Sequence, residues 1–364
     1  MELNKFRLVF NNFVLNSLIF KKVSEISKQI GKRPLLGWSE VKSSPYYLAG
    51  NGYISQLIDY LSTKRLFDIE GVARVLKNAL KGRCDIGTFQ YLFGLLDVQE
   101  RITHCFDYLS EADSDDFEIG ENKIRQINSI LETASKLGRL DIIKYLLEAV
   151  VIPEYKEGGS QFRWDLERAV SYSAKSNDIE LLKFMIEKSN NSIAPFFYTM
   201  HERPNVFDKV ASVGNIKMIE YLVECRMEDL SESNMLRESI RAGQQDFVRH
   251  LLANNSYGHI IGDFEILHYA IRYNQFEILK MLNQEYGMKE FYKYDMNYAA
   301  DNANIEMLSW LSQNSSCQCS PSAMDTAARN GQFHIVQWLH NNRTEGCTAV
   351  CFINIYLSFY CYTY

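Results

Sequence analysis

The sequence has no phosphate-cradling glycine loop, no His-Glu-x-x-His helix and no nucleophile elbow, so the motif-borne forms of nucleotide, zinc-protease and serine-hydrolase chemistry are missing. The reading is therefore non-enzymatic, with no cofactor. It has no basic excess either: 39 Lys and Arg against 45 Asp and Glu leave a formal charge of -6, which argues against a general nucleic-acid binder. No apolar run reaches membrane-spanning length, and no membrane contact is expected. Near the N-terminus Lys5 and Arg7 precede an apolar stretch, but Asn11, Asn12 and Asn16 interrupt it, and the small-residue cleavage site of a secretory leader is missing.

Cysteine is scattered. The eight thiols, at 84, 105, 225, 317, 319, 347, 351 and 361, lack the dense spacing of a disulfide-stapled domain and read as reduced. Cys317, Cys319, Cys347 and Cys351 match no common zinc spacing, so no metal site is expected. A cytoplasmic protein follows, with the nucleus also open, and the sequons at Asn190, Asn254, Asn314 and Asn342 read as chance matches.

What the chain does have is a recurring stretch. Ala327-Ala328-Arg329-Asn330-Gly331-Gln332-Phe333-His334-Ile335-Val336-Gln337-Trp338-Leu339 has counterparts centred on Gly138, Asn177, Gly214, Gly243, Asn274 and Ala303. These turn residues are 39, 37, 29, 31, 29 and 28 positions apart along the chain. Each copy reads as the end of one helix, a residue suited to positive φ, and a second, amphipathic helix. Gly, and less easily Asn, adopts the left-handed conformation cheaply. Ala303 either carries a penalty of about 1 kcal/mol or moves the turn to Asn302 or Asn304.

Small residues before the turn, such as Ala134, Ala211, Ala270, Ala299 and Ala328, allow first helices to approach closely. Apolar residues after it, such as Ile142, Ile143 and Leu146, supply a buried stripe. One such pair cannot bury its apolar face alone, so the pairs must stack. Trp310 and Trp338 hold equivalent places and point to core packing. His268 and His334 read as structural hydrogen-bonding groups.

From about 132 to 345 the pattern resembles the ankyrin repeat, whose unit is about 33 residues. Ile266-Leu267-His268-Tyr269-Ala270 is similar to that family's Leu-His-x-Ala core, although the preceding Thr-Pro is missing from every copy. The finger consensus is also missing, so several linkers are expected to be plain loops. Residues 45–96 hold two frayed copies, one ending Leu48-Ala49-Gly50-Asn51-Gly52 and one Ala79-Leu80-Lys81-Gly82. The resemblance implies an all-α solenoid of stacked antiparallel helix pairs, monomeric, that binds a protein along its concave face.

Two residues before each turn the chain reads Lys136, Lys175, Ser212, Arg241, Arg272, Asp301 and Arg329. A cation in the last turn offsets the helix dipole without any partner. The resemblance instead places this column on the partner-facing side, where Lys136, Lys175, Arg241, Arg272 and Arg329 would steer an acidic protein segment.

Around this array the sequence divides into an N-terminal helical cap over 1–44, degenerate repeats over 45–110, an acidic linker loop over 111–131, regular repeats over 132–347 and an atypical tail over 348–364. Residues 1–30 also resemble a degenerate F-box without its Leu-Pro opening, which would make the chain a ubiquitin-ligase substrate receptor. The uncharged, aromatic tail is expected to mark truncation from a longer parent, or else a β-prone segment folded back on the last repeat.

Overall fold

The computed structural model describes residues 38–63, 68–103, 114–150, 164–190, 204–254 and 263–349. The described residues are helical and contain no strand. They divide into two compact units, Met1–Trp164 and Asp165–Tyr364. The F-box-like segment and all but the first two residues of the tail lie outside the described residues.

In the first unit a short turn at Trp38–Val41 precedes three helix pairs: α1 (Pro45–Gly50) with α2 (Ile54–Thr63), α3 (Ile69–Lys81) with α4 (Ile86–Leu95), and α5 (Ser114–Lys136) with α6 (Leu140–Ala149). In the second unit α7 (Leu166–Ser173) pairs with α8 (Ile179–Asn190), α9 (Val206–Val213) with α10 (Ile216–Cys225), and α11 (Met235–Arg241) with α12 (Gln245–Ala253). Three more pairs follow there: α13 (Asp263–Arg272) with α14 (Phe276–Tyr286), α15 (Asp295–Asp301) with α16 (Ile305–Asn314), and α17 (Pro321–Arg329) with α18 (Phe333–Asn342). Within each unit every odd-numbered helix packs on the next odd-numbered one.

The sequence explains this packing. Ala174, Ala211, Ala270, Ala299, Ala300, Ala327 and Ala328 are completely buried in or beside the odd helices, so neighbouring backbones meet with little side chain between them. The even helices bury stripes such as Met218, Ile219 and Leu222, or Met307, Leu308 and Leu311. In α18 Ile335 and Leu339 are buried, whereas Val336 and Trp338 are only half-buried. Trp310 is likewise half-buried and sits edge-on to Phe276 and Phe291, with ring centroids 6.3 and 6.4 Å away. Both tryptophans thus lie at the margin of the core, because the even helices bury only a narrow stripe.

Each pair is joined by a left-handed residue. The φ angles are 73° at Gly138, 60° at Asn177, 77° at Gly214, 74° at Gly243, 60° at Asn274, 55° at Ala303 and 69° at Gly331. Ala303 therefore takes the strained conformation itself. In most copies the following N–H donates back into the first helix, as Gln275 N does to Ala270 O at 2.8 Å and Gln332 N to Ala327 O at 2.9 Å. This is the Schellman arrangement that satisfies terminal carbonyls.

In the two frayed copies the left-handed residues are Gly52 and Arg83. Gly82, with φ of -72°, serves a different need: a Cβ there would lie 2.7 Å from Ala49 O, so its hydrogen is what lets α3 end against α1.

The acidic stretch is not a loop. From Ser114 it is the start of a 23-residue helix, α5. The physical reason is that apolar spacing extends upstream of the repeat core: Ile124, Ile127, Ile130, Leu131 and Ala134 are all buried along one side.

Behind each turn the structure holds a device that is hard to see in one copy. The residue after the turn is Asn215, Gln244, Gln275, Asn304 or Gln332 in the later repeats, and its amide reaches back to the preceding repeat. Gln244 Nε2 donates to Ser212 O (3.3 Å), Gln275 Nε2 to Arg241 O (3.3 Å) and Gln332 Nε2 to Asp301 O (3.1 Å). Where the preceding turn residue is Asn, an Asn donates to its side chain instead: Asn215 Nδ2 to Asn177 Oδ1 (2.8 Å) and Asn304 Nδ2 to Asn274 Oδ1 (2.7 Å). In the first unit Arg139 plays the same part, donating to Cys84 O at 2.7 Å. These contacts fix the register of successive repeats and hold the odd helices side by side.

Candidate functional site

The odd helices bury one side in the core, and α11, α13, α15 and α17 carry exposed residues such as Arg241, Arg272, Tyr298 and Arg329. The basic column lies at their C-terminal ends, where the structure separates its members by setting. Lys136, exposed, closes α5 in the first unit. In the second unit Lys175 is half-buried and donates to Ser212 of the neighbouring repeat. Arg241 is exposed and paired with Glu238 one turn back. Arg272 and Arg329 are exposed, and the intervening Asp301 stands on α15 between their helices. The left-handed residues Gly138, Asn177, Gly214, Gly243, Asn274 and Gly331 lie just behind this column and set where it ends.

One helical turn before that column runs a second one, Ser171, Asp208, Arg237, His268, Asn297 and Asp325. Every member is polar, and each reaches toward the next repeat. Asp208 accepts from Asn234 N at 2.5 Å, and its carboxyl is pushed upward in pKa chiefly by burial. Asn297 exchanges two hydrogen bonds with Ser320, of 2.9 and 3.0 Å. Asp325 accepts from both the N–H and the hydroxyl of Thr348, at 3.0 and 2.7 Å. His268 Nδ1 lies 2.6 Å from Oδ1 of the fully buried Asp295, whose other oxygen accepts from Tyr292 N at 2.9 Å. His268 thus has a structural partner, whereas His334 is exposed on α18.

Between α11, α13 and α15 the two columns converge on a cluster of arginine and tyrosine. The Arg237 guanidinium lies 5.4 Å from the centroid of the Tyr269 ring and donates from Nε to the Tyr273 hydroxyl at 3.2 Å. Tyr269 stacks on Tyr273 with centroids 6.1 Å apart. The Arg272 guanidinium lies 5.8 Å from the Tyr298 centroid. Tyr298 and Tyr292 in turn pack edge-on to His268, at 5.1 and 4.9 Å. Tyr292, Tyr294 and Tyr298 are exposed.

The carboxylates nearby are already engaged. Glu238 pairs with Arg241, Glu265 accepts from Tyr269 Oη at 3.2 Å, and Asp301 accepts from Asn330 Nδ2 at 3.4 Å. Burial pushes the Tyr269 hydroxyl upward in pKa, so it stays protonated and continues to donate. Among the described residues no carboxylate lies within ion-pair distance of Arg237 or Arg272. Two guanidinium groups thus lie beside tyrosine rings, with Arg237 also donating to Tyr273.

Sequence reasoning singled out Arg241 and Arg272 but not Arg237 or the tyrosines beside them. The signal was available as a column of uniformly polar residues one turn before the basic column.

The cysteines have another setting. Cys317 and Cys319 are buried in the loop between α16 and α17, and burial raises both thiols, Cys319 to about 11. They are protonated, unreactive thiols at neutral pH. Among the described residues no three His, Cys, Asp or Glu side chains gather to hold a metal, and no helix is long and apolar enough to cross a membrane.

No family model and no curated protein matches the chain.

Proposed function

We propose that the chain is a non-catalytic protein-binding scaffold or adaptor, an ankyrin-like solenoid that holds a protein partner along the concave side formed by its odd-numbered helices. The observation that carries this reading is the arginine–tyrosine cluster on α11, α13 and α15, in which Arg272 and Tyr298 are exposed and Arg237, Tyr269 and Tyr273 half-buried. Arginine and tyrosine are the residue types most enriched among binding hot spots, and Arg237 and Arg272 are held ready without an acidic partner of their own. The even-numbered helices, by contrast, use their apolar stripes for the core. The partner is acidic where it meets Arg241 and Arg272, and the chain acts as a monomer in the cytoplasm or nucleus, where its scattered thiols stay reduced.

Affinity purification with mass spectrometry tests the reading. The intact chain is compared with an Arg241→Glu/Arg272→Glu variant of matched thermal stability. Proteins retained by the first and lost from the second support the proposal. An identical set from both rejects it.

A further inference from the structure

The loop that follows α18 repeats the one that follows α16. Each runs for six residues, 315–320 and 343–348, and helical backbone resumes after them at Pro321 and Ala349. The helix ends before them also match. Asn314 Nδ2 donates to Trp310 O at 2.9 Å and Asn342 Nδ2 to Trp338 O at 2.8 Å, while Ser315 N and Arg343 N donate to Leu311 O and Leu339 O at 3.0 and 2.9 Å. Thr348 thus takes the place of Ser320, the residue at the N-cap of α17.

The polar column of the odd helices marks the same place. Its members bind where the next odd helix begins. Ser171 Oγ donates to Pro204 O beside the α9 cap, and Asp208 accepts from Asn234 N at the α11 cap. His268 meets Asp295 in the first turn of α15, and Asn297 exchanges hydrogen bonds with Ser320. Arg237 is the exception and turns to Tyr273. Asp325, next in the column, holds the N–H and the hydroxyl of Thr348. Threonine is a favoured N-cap residue, and a helix needs one because its first N–H groups have no partner within it.

Burial points the same way. Asp208, Arg237, His268 and Asn297 each have another odd helix after them and are half-buried, whereas Asp325 is only 7% exposed. The side of α17 turned toward Thr348 is therefore at least as covered as the same side of the interior odd helices.

We infer that residues 349–357 supply the cover: a further odd-numbered helix, capped at Thr348 and packed on α17 as α17 packs on α15. In the 28-residue spacing of the last two turns, this segment corresponds to the whole of α17, Pro321–Arg329. From Ala349 to Leu357 it is uncharged, with Asn354 and the Tyr356 hydroxyl as its polar groups, a composition that suits burial against a neighbouring helix.

Hydrogen exchange and carbon-13 backbone spectra of the unaltered full chain test this without any variant. Amides 353–357 should exchange at least about tenfold more slowly than in the isolated peptide; those before them belong to the first turn, where a helix leaves N–H groups unsatisfied. The α-carbon shifts of 350–356 should be helical. Ile355→Pro removes a helical hydrogen bond and should speed exchange in 321–329 about tenfold or more, leaving α7 and α8 unaltered. Thr348→Ala, which loses the cap, should speed exchange in 353–357 about fivefold. Should Ile355→Pro fail to fold, the spectra of the unaltered chain still decide. Unprotected exchange across 353–357, shifts of extended strand, or unaltered exchange of α17 in Ile355→Pro would each overturn the helix. Protection of α17 that is lost on about a hundredfold dilution would overturn it too, because a second copy of the chain would then be the cover.

Discussion

At the scale of single residues the turns make the sharpest predictions, because their φ angles and surroundings differ. Gly331 has open space where a Cβ would go, so Gly331→Ala carries only the left-handed penalty, about 1 kcal/mol. Gly214 is crowded: a Cβ would sit 2.5 Å from Gln244 Oε1 and 2.8 Å from its Cδ. Gly214→Ala must also displace that amide and its bond to Ser212 O, for a total of about 2 kcal/mol. Ala303→Gly relieves a strained φ of 55° and should gain about 0.5 kcal/mol once the freer unfolded chain is counted. Urea unfolding of the three variants checks the order. A Gly331→Ala cost equal to that of Gly214→Ala would contradict the role given to Gln244.

Glu345 supplies a pH-dependent prediction. Its carboxylate binds Arg343 and accepts from Cys319 N at 3.1 Å, and the hydrogen bond from Arg343 lowers its pKa from 4.5 to about 2. A depressed carboxyl pKa stabilises the fold above the unfolded value and loses that contribution as pH falls through the folded value. Glu345→Gln should therefore be less stable than the parent at pH 6, by about 1–2 kcal/mol, and the gap should close between pH 4.5 and 2. Thermal melts across that range would show a constant gap if the carboxylate were not responsible.

At the scale of elements the amide column ties each turn to the one before it. Gln faces a preceding Gly or Ala turn and Asn faces a preceding Asn turn, because the Gln side chain occupies the space that an Asn side chain would need. Gly214→Asn alone should destabilise the chain by about 1–2 kcal/mol, and Gly214→Asn with Gln244→Asn should recover most of that loss. Additive losses in such a cycle would remove the rule.

Much at this scale is legible in sequence. Left-handed geometry admits few residue types, so the turns at Gly138, Asn177, Gly214, Gly243, Asn274 and Gly331 stand out, and apolar spacing marks the helices after them. What escapes is set by neighbours far along the chain. Gly82 is glycine because of Ala49 O, and Gln244 is an amide because of Ser212, 32 residues earlier. The helix over the acidic stretch is missed for a simpler cause, since its buried isoleucines precede the repeat core where the pattern is anchored.

At the scale of the whole molecule, each repeat in a unit meets only its neighbours, so damage should stay local. Ala270 is fully buried between α13 and its neighbours. Ala270→Leu overpacks that junction and should cost about 1–3 kcal/mol or more. Hydrogen exchange should then rise first in α11, α13 and α15, before α7 and α8. Uniform acceleration across the second unit would point to a single cooperative block.

The candidate face is less legible than the stack. Arg272 belongs to a visible column, but Arg237 gains its meaning only from Tyr269 and from Tyr273, which lies 36 residues on. A charge count along one repeat cannot tell a cation that offsets a helix dipole from one held over a ring. Contact between repeats makes that distinction.

The proposed partner surface lies on the odd helices, with the even helices as its support. Hydrogen exchange of the full chain, with and without a purified partner captured by it, measures this directly. Protection is predicted in 235–241, 265–273 and 295–301, with little change in 245–253, 276–286 and 305–314. Protection confined to the second set would contradict that assignment.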